Sequence, residues 1–366
     1  MSSVGGWDLK MNSSRRLGVL TTHSEKMRVL APRRHLDGHD LPNGSELLVG
    51  KWFEDDLEVQ TAFHEKVPGP IMRMMKEMRW LVSQRRRLVQ FSHVYCLEGI
   101  HFNLLMVLAR TPVFRPRGKS IRRFAFRDRA LERMAPLLRR SDVGFQVDYI
   151  TMEQVERARA RVGEERVLLH PWKVDVEWYR PSEGKMPTGL KGRVLLPGNM
   201  FRCESLVDPL LESGVSVCRM GRHGKLKERF AHLQEHQGFE LVINAPHVKY
   251  LEALRASEAV LLPIEDCDEP AGLTAAMEAV ACGRPVLANR SMGIAELFGE
   301  CEYPLPMVDG LRAGEWIRAI TDLRRLAGEV EFLDRLRLSM MRLRERRGIL
   351  PRAGDWVETL GWKEEA

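Results

Sequence analysis

The chain is short of what marks small secreted domains and membrane proteins. Its 366 residues include six cysteines, Cys96, Cys203, Cys218, Cys267, Cys282 and Cys301. They are widely separated, with no CxxC pair and no histidine cluster nearby, which argues against a disulfide framework and against a structural zinc site. A reducing, cytoplasmic compartment is therefore expected. Long apolar runs are also missing. Nothing approaches the ~18 consecutive apolar residues of a membrane span, and the first residues hold no signal-peptide core. Aromatic residues make up only 7% of the chain. Those among its basic side chains form no base-stacking motif, so no nucleic acid partner is expected. There is no nucleoside-triphosphate P-loop, internal repeat or low-complexity tract.

What is present suits a soluble α/β protein of two domains: 44% hydrophobic residues and scattered glycines. Charge is uneven. Residues 1–185 carry 33 Lys and Arg against 23 Asp and Glu, whereas the remainder carries 24 against 27. Within 71–140 the balance is 17 basic to 4 acidic. Such a block implies either an anionic partner for the N-terminal half or a solvated basic face. The triple Arg85, Arg86 and Arg87 is its densest point.

Residues 71–91, "IMRMMKEMRWLVSQRRRLVQF", read as one amphipathic helix. Ile71, Met74, Met75, Met78, Leu81, Val82, Leu88 and Val89 form its apolar stripe, and the other face is basic. The spacing fits a core-packing helix, with a membrane-surface helix as the alternative. Upstream, "LGVL" and "KMRVLAPRR" are candidate strands around a turn-rich "DGHDLPNGSE". From residue 91 strands and helices alternate: strands at "VYCL", "TPVFRP" and "VGFQVDYI", helices at "FNLLMVLA" and "FRDRALERMAPLLRR". "RPSEGKMPTGLKG" reads as a linker. Alternation then restarts with strands "RVLLPG", "VSVCRMG", "FELVIN" and "AVLLPI". The expectation is two doubly wound, Rossmann-like α/β domains joined by a hinge, residues 1–185 and 186–345.

Parallel sheets bind ligands at the carboxyl ends of their strands. The loops there carry Gly198 and Asn199, then Gly221, Arg222, Gly224, Lys225 and Lys227, then Asp266 to Gly272. Their glycines let backbone N–H groups approach a phosphate. In "EPAGLTAAMEAVACGRPVLAN", Glu278 stands on a helix that is otherwise apolar nearly all round. A buried charge needs a partner. Either Arg284, Arg290 or the helix dipole satisfies it, or a ligand does.

These stretches, with "GIAEL", resemble the retaining family-4 glycosyltransferases, which have the GT-B fold of two facing Rossmann-like domains. The likeness is good over 141–300 and faint over 1–90, where "SVGG" at 3–6 stands for the family's glycine loop. "VLLHPWKVDVEWYRP" is similar to the interdomain segment, and residues 346–366 to the segment that crosses back to the first domain. The resemblance implies a hexosyltransferase using a nucleotide diphosphate sugar, UDP- or GDP-linked, without a metal or other cofactor. It implies Glu269 as the catalytic-side carboxylate at the donor sugar and Glu278 on the ribose. Gly198, Asn199, Arg202, Arg222, Lys227, Gly272 and Leu273 complete the donor side, and Arg85, Arg86, Arg87 and Arg115 lie on the acceptor side. An anionic or lipid-linked acceptor, with peripheral membrane contact, is the matching expectation. The alternative is a non-catalytic GT-B-like binding or regulatory protein.

The sequence also departs from that pattern. Eight residues separate Glu269 from Glu278, where the family usually has seven, a shift that rotates a helix by ~100°. Asp266 and Asp268 are alternative holders of the first role. The Arg and Lys that clamp the diphosphate after the domain's first strand are replaced by Asn199 and Glu204. Arg202, Arg222 and Lys227 are the candidate substitutes, Arg222 the first choice. Arg115 stands where the family has a histidine.

Overall fold

The computed structural model describes residues 7–11, 15–20, 58–59, 70–88, 93–96, 99–111, 120–124, 129–141, 144–181, 192–222 and 224–348. They divide between two compact units, one up to Pro171 and one from Trp172 onward. The calls at 3–6, 26–46 and 349–366, and Arg115, lie outside the described residues, as does most of the linker.

The first unit is built on a seven-stranded sheet in the order β3-β1-β2-β4-β5-β6-β7. β1 (Trp7–Met11) pairs antiparallel with β2 (Arg15–Leu20) and β3 (Glu58–Val59). From β2 the sheet is parallel through β4 (His93–Cys96), β5 (Ser120–Phe124), β6 (Gly144–Tyr149) and β7 (Val167–Leu169). Helices Gly99–Leu108, Arg129–Arg139 and Met152–Val162 make the crossovers. Thr151 caps the last of them, its hydroxyl accepting from the Gln154 amide at 3.2 Å. β5 was not read from sequence, because "SIRRF" shows no apolar run. Arg122 on this strand is nonetheless buried, its guanidinium donating to Asp148 on β6 at 2.8 Å.

The long helix expected over 71–91 is two pieces, Pro70–Ser83 and Arg85–Leu88, separated by a turn at Gln84. Its buried face also differs. Glu77, Leu81 and Leu88 are inside, while Ile71, Met74 and Met75 are exposed. The Gly99–Leu108 helix packs along the second half of Pro70–Ser83, where Glu77 Oε2 and buried His101 Nε2 share a hydrogen bond at 2.9 Å. The apolar first turn lies beyond that contact.

The second unit has a five-stranded, wholly parallel sheet in the order β10-β9-β8-β11-β12. The strands are β8 (Val194–Pro197), β9 (Val217–Gly221), β10 (Phe239–Ile243), β11 (Val260–Leu262) and β12 (Val286–Ala288). β8, β11 and β12 are buried at every position, which explains why each reads as a continuous apolar run. The chain winds outward from β8 to β10, then returns to the other side of β8 for β11. That reversal leaves a crevice at the carboxyl ends of β8 and β11, the place where doubly wound sheets hold ligands.

Helix Leu273–Ala281 follows β11. Its alanines and apolar side chains suit a helix buried on most sides, and seven of its nine residues are buried. Gly272 precedes it with φ +81°, a left-handed turn that a side chain would strain. Gly283 at φ +70° and Pro285 end it.

Candidate functional site

At the reversal lies a cavity of about 340 Å³, formed entirely by residues of the second unit. The loop after β8 supplies Gly198, Asn199 and Arg202, and the end of β9 supplies Gly221 and Arg222. Val242, Ala245, His247 and Tyr250 come from β10 and the helix after it, and Gly272, Thr274, Ala275 and Glu278 from the helix after β11. Tyr179 joins them from the segment ahead of β8.

The loops are held by specific bonds. Arg202 bridges to Ile264, the Cys203 amide donates to Pro263 O at 2.9 Å, and the Glu265 amide to Phe201 O at 2.9 Å. Asn289, at the end of β12, closes the same corner. Its side chain accepts from the Ile264 amide at 2.7 Å and donates to the Ile264 carbonyl at 2.8 Å. The Asn199 side chain accepts from the Arg222 amide, tying the β8 loop to the β9 loop.

Asn199 and Glu204, the two positions at which the sequence resemblance would place a diphosphate clamp, are both engaged within the protein. Asn199 is this staple, and Glu204 forms a two-pronged ion pair with fully buried Arg219, at 2.8 and 2.5 Å. The charge of Arg219 is paired there. Arg202 is the buried cation lining the cavity, and Arg222 is an exposed one. The Arg202 Nε donates to Pro197 O at 2.7 Å and its Nη1 to Met200 O at 3.0 Å. The Nη2 makes no hydrogen bond among the described residues and sits over Gly198, so closely that a Cβ at 198 would meet it at 2.5 Å. Burial, then the charge of Arg219, lowers its pKa to about 10, so it stays charged at neutral pH. Helix Leu273–Ala281 points its first turn into the same space, where N–H groups lack acceptors within the helix.

Glu278 keeps part of its surface open to the cavity while its carboxylate is enclosed. Burial pushes its pKa up from 4.5 to about 7, and hydrogen bonds from Tyr250 and Tyr179 hold it down against that. Tyr250 Oη donates to Glu278 Oε2 at 2.9 Å. Neither arginine ion pair considered from sequence forms. Arg284 donates to the Ser257 carbonyl at 3.0 Å, and Arg290 is exposed. The protein groups that meet the carboxylate are instead phenols, Tyr250 by a hydrogen bond and Tyr179 close by.

The remaining sequence candidates divide. Arg222 lines the cavity, with an exposed side chain. Lys227 is exposed on helix Lys225–Arg229 and does not line it. Leu273 is buried in the core. Glu269 is half-buried on the loop leading to Gly272, its carbonyl accepting from the Ala271 amide at 2.7 Å, and does not line the cavity. Arg85 and Arg86 are exposed on Arg85–Leu88 in the first unit, and the Arg87 side chain lies outside the description. Sequence reading missed Tyr179, Tyr250 and His247. Composition held one signal: the chain has only five tyrosines, and two of them meet at one carboxylate.

No protein-family model matches the sequence, and no curated protein does. Solved structures do match in fold. A glycosyltransferase from Rickettsia africae superposes with a TM-score of 0.62 at 10% identity, covering 83% of this chain and 86% of that one. Sucrose-phosphate synthase from Thermosynechococcus elongatus gives 0.60 at 15% identity, covering 94% and 95%. A UDP-forming α,α-trehalose-phosphate synthase from Burkholderia xenovorans gives 0.51 at 13% identity, covering 81% and 79%. The fold is that of the GT-B glycosyltransferases, α/β with parallel sheets. At these identities the likeness speaks for the fold alone.

Proposed function

We propose that this chain is a glycosyltransferase that moves a hexose from a nucleoside diphosphate sugar, UDP- or GDP-linked, to an acceptor with retention of configuration. The observation that carries the proposal is the pairing, in one cavity at the sheet's switch point, of an enclosed carboxylate with a buried arginine. Glu278 takes the ribose hydroxyls, and Arg202 takes the phosphates, with Arg222 at the rim. The first turn of Leu273–Ala281 adds roughly half a positive charge toward the leaving diphosphate. Together they stabilise departure of the diphosphate without calling on a metal. Glu269, on the loop before that turn, is proposed as the carboxylate that meets the transferred sugar. The basic first unit supports an anionic or lipid-linked acceptor and contact with a membrane surface.

The test is a thermal-shift panel of nucleosides, nucleoside diphosphates and their sugars on the full chain. A ligand at a hundredfold over its dissociation constant stabilises by about 2.7 kcal/mol, a readable shift. Stabilisation by one nucleoside diphosphate, with sugar released or transferred from its conjugate, is expected. Binding with no turnover would favour the non-catalytic reading, to which the rewired Asn199 and Glu204 positions lend support. No stabilisation by any nucleotide sinks both.

A further inference from the structure

We propose that Tyr250, with Tyr179 beside it, is a positioning residue that aims the Glu278 carboxylate and makes the cavity selective for a nucleotide with an intact ribose diol. The inference rests on the ribose reading of Glu278 and adds what sets its orientation and selectivity.

A carboxylate offers about four lone-pair positions. Tyr250 Oη occupies one at 2.9 Å, and Tyr179 stands close enough to lower the pKa of the same carboxyl. At least two acceptor positions remain, enough for the two O–H donors of a vicinal diol. A deoxy sugar leaves one unfilled at an enclosed carboxylate, a costly outcome where water is scarce. Tyr250 is on helix His247–Ala256, and Tyr179 is buried with its amide donating to Asp175 O at 2.8 Å. The Asp175 side chain in turn accepts from the Glu177 and Trp178 amides at 3.1 and 3.0 Å, fixing the turn that presents Tyr179. Burial and the nearby Glu278 hold both phenols well above their ordinary pKa, so they remain donors across the neutral range. The other ionisable groups around this cluster are Arg202 from the β8 loop, Cys282 at the end of Glu278's own helix, and Arg222 and His247, which line the same cavity. Burial pushes the Cys282 thiol up to about 12, so it stays neutral.

The experiment measures, by calorimetry on the full chain, the best-binding nucleoside diphosphate of the UDP, GDP and ADP set. Its 2′-deoxy and 2′,3′-dideoxy counterparts are measured beside it, from pH 5.5 to 8.5. Wild type should prefer the ribose form by at least about tenfold. Tyr250→Phe keeps the ring and removes the donor. It should weaken the ribose form about tenfold or more at pH 7, leave the dideoxy form unchanged, and move the midpoint of the pH profile upward. Tyr179→Phe should repeat the pattern. Equal weakening of ribose and dideoxy forms, or an unmoved pH midpoint, would reduce the tyrosines to cavity walls and overturn the proposal. Wild type that fails to distinguish the sugars would instead overturn the ribose reading itself, and the positioning role with it.

Discussion

Glu278 concentrates the energetics of the site in one side chain. Its carboxyl carries a folded pKa of about 7 against 4.5, so it holds its proton in the native state after the unfolded chain has lost it. The stability it contributes is full below pH 4.5 and is lost as pH rises to about 7. The shift is worth on the order of 3 kcal/mol. Glu278→Gln has no proton to lose. Its melting temperature should therefore gain on wild type as pH rises from 5 to 8, while its nucleotide affinity falls by about tenfold or more. Differential scanning calorimetry across that range checks the first half and titration the second. Unchanged nucleotide affinity would make Glu278 structural. On the proposed ribose contact, which needs the ionised form, wild-type affinity should rise with pH up to about 7 and then level off.

Arg202 sets the second prediction at this scale. Arg202→Ala removes a charged donor group next to Gly198 and should weaken nucleoside diphosphate binding by about ten- to a hundredfold, with little effect on the nucleoside. Arg222→Ala should do less, because its exposed side chain is screened by water. Equal effects on nucleoside and diphosphate would place the phosphates elsewhere.

Among elements, the loop after β8 decides whether Arg202 can serve. Gly198 has φ +108°, and a methyl there meets Arg202 Cζ at 2.9 Å as well as Nη2 at 2.5 Å. Gly198→Ala should thus displace the guanidinium and lose the same diphosphate increment as Arg202→Ala. In the double variant the losses should overlap rather than add, since they remove one interaction. Additive losses would show that Gly198 acts only on the backbone. This loop also marks where the sequence stopped being legible. "RVLLPG" and "AVLLPI" declare themselves as buried strands, and Gly272 and Gly283 bracket the helix between them, because local chemistry fixes each. Arg202 was visible only as one of three cations. Its priority depends on Arg219 being tied to Glu204 across fifteen residues, a pairing no local pattern encodes. Tyr250 and Tyr179 were invisible for the same reason: their hydroxyls find Glu278 only after the sheet is wound. The strand Ser120–Phe124 hid behind its own arginines, since Arg122 is buried only because Asp148 on the next strand accepts from it.

Over the whole molecule, charge divides along the chain. The second unit holds the proposed donor site on a chain half that is slightly acidic, while residues 71–140 hold 17 basic side chains against 4 acidic ones. Some of these are committed to structure: Arg122 pairs with Asp148, and Arg123 donates to the Met134 sulfur at 3.6 Å. Arg85 and Arg86 are exposed, and they follow a helix whose N-terminal half shows Ile71, Met72 and Met75 to solvent. Exposed cations of this kind attract an anionic acceptor without shaping the donor cavity, so the two half-reactions should separate. Replacing Arg85, Arg86 and Arg87 together by Glu should lower transfer to a phosphorylated or anionic-lipid acceptor by about tenfold and leave donor hydrolysis unchanged. The gap should narrow as salt rises from 0.1 to 1 M, because the screening length falls from ~10 to ~3 Å. Equal loss of transfer and hydrolysis would point to damaged folding. No loss of either would leave the arginines as a solvated face, and the acceptor's charge would then have to be read by some other part of the chain.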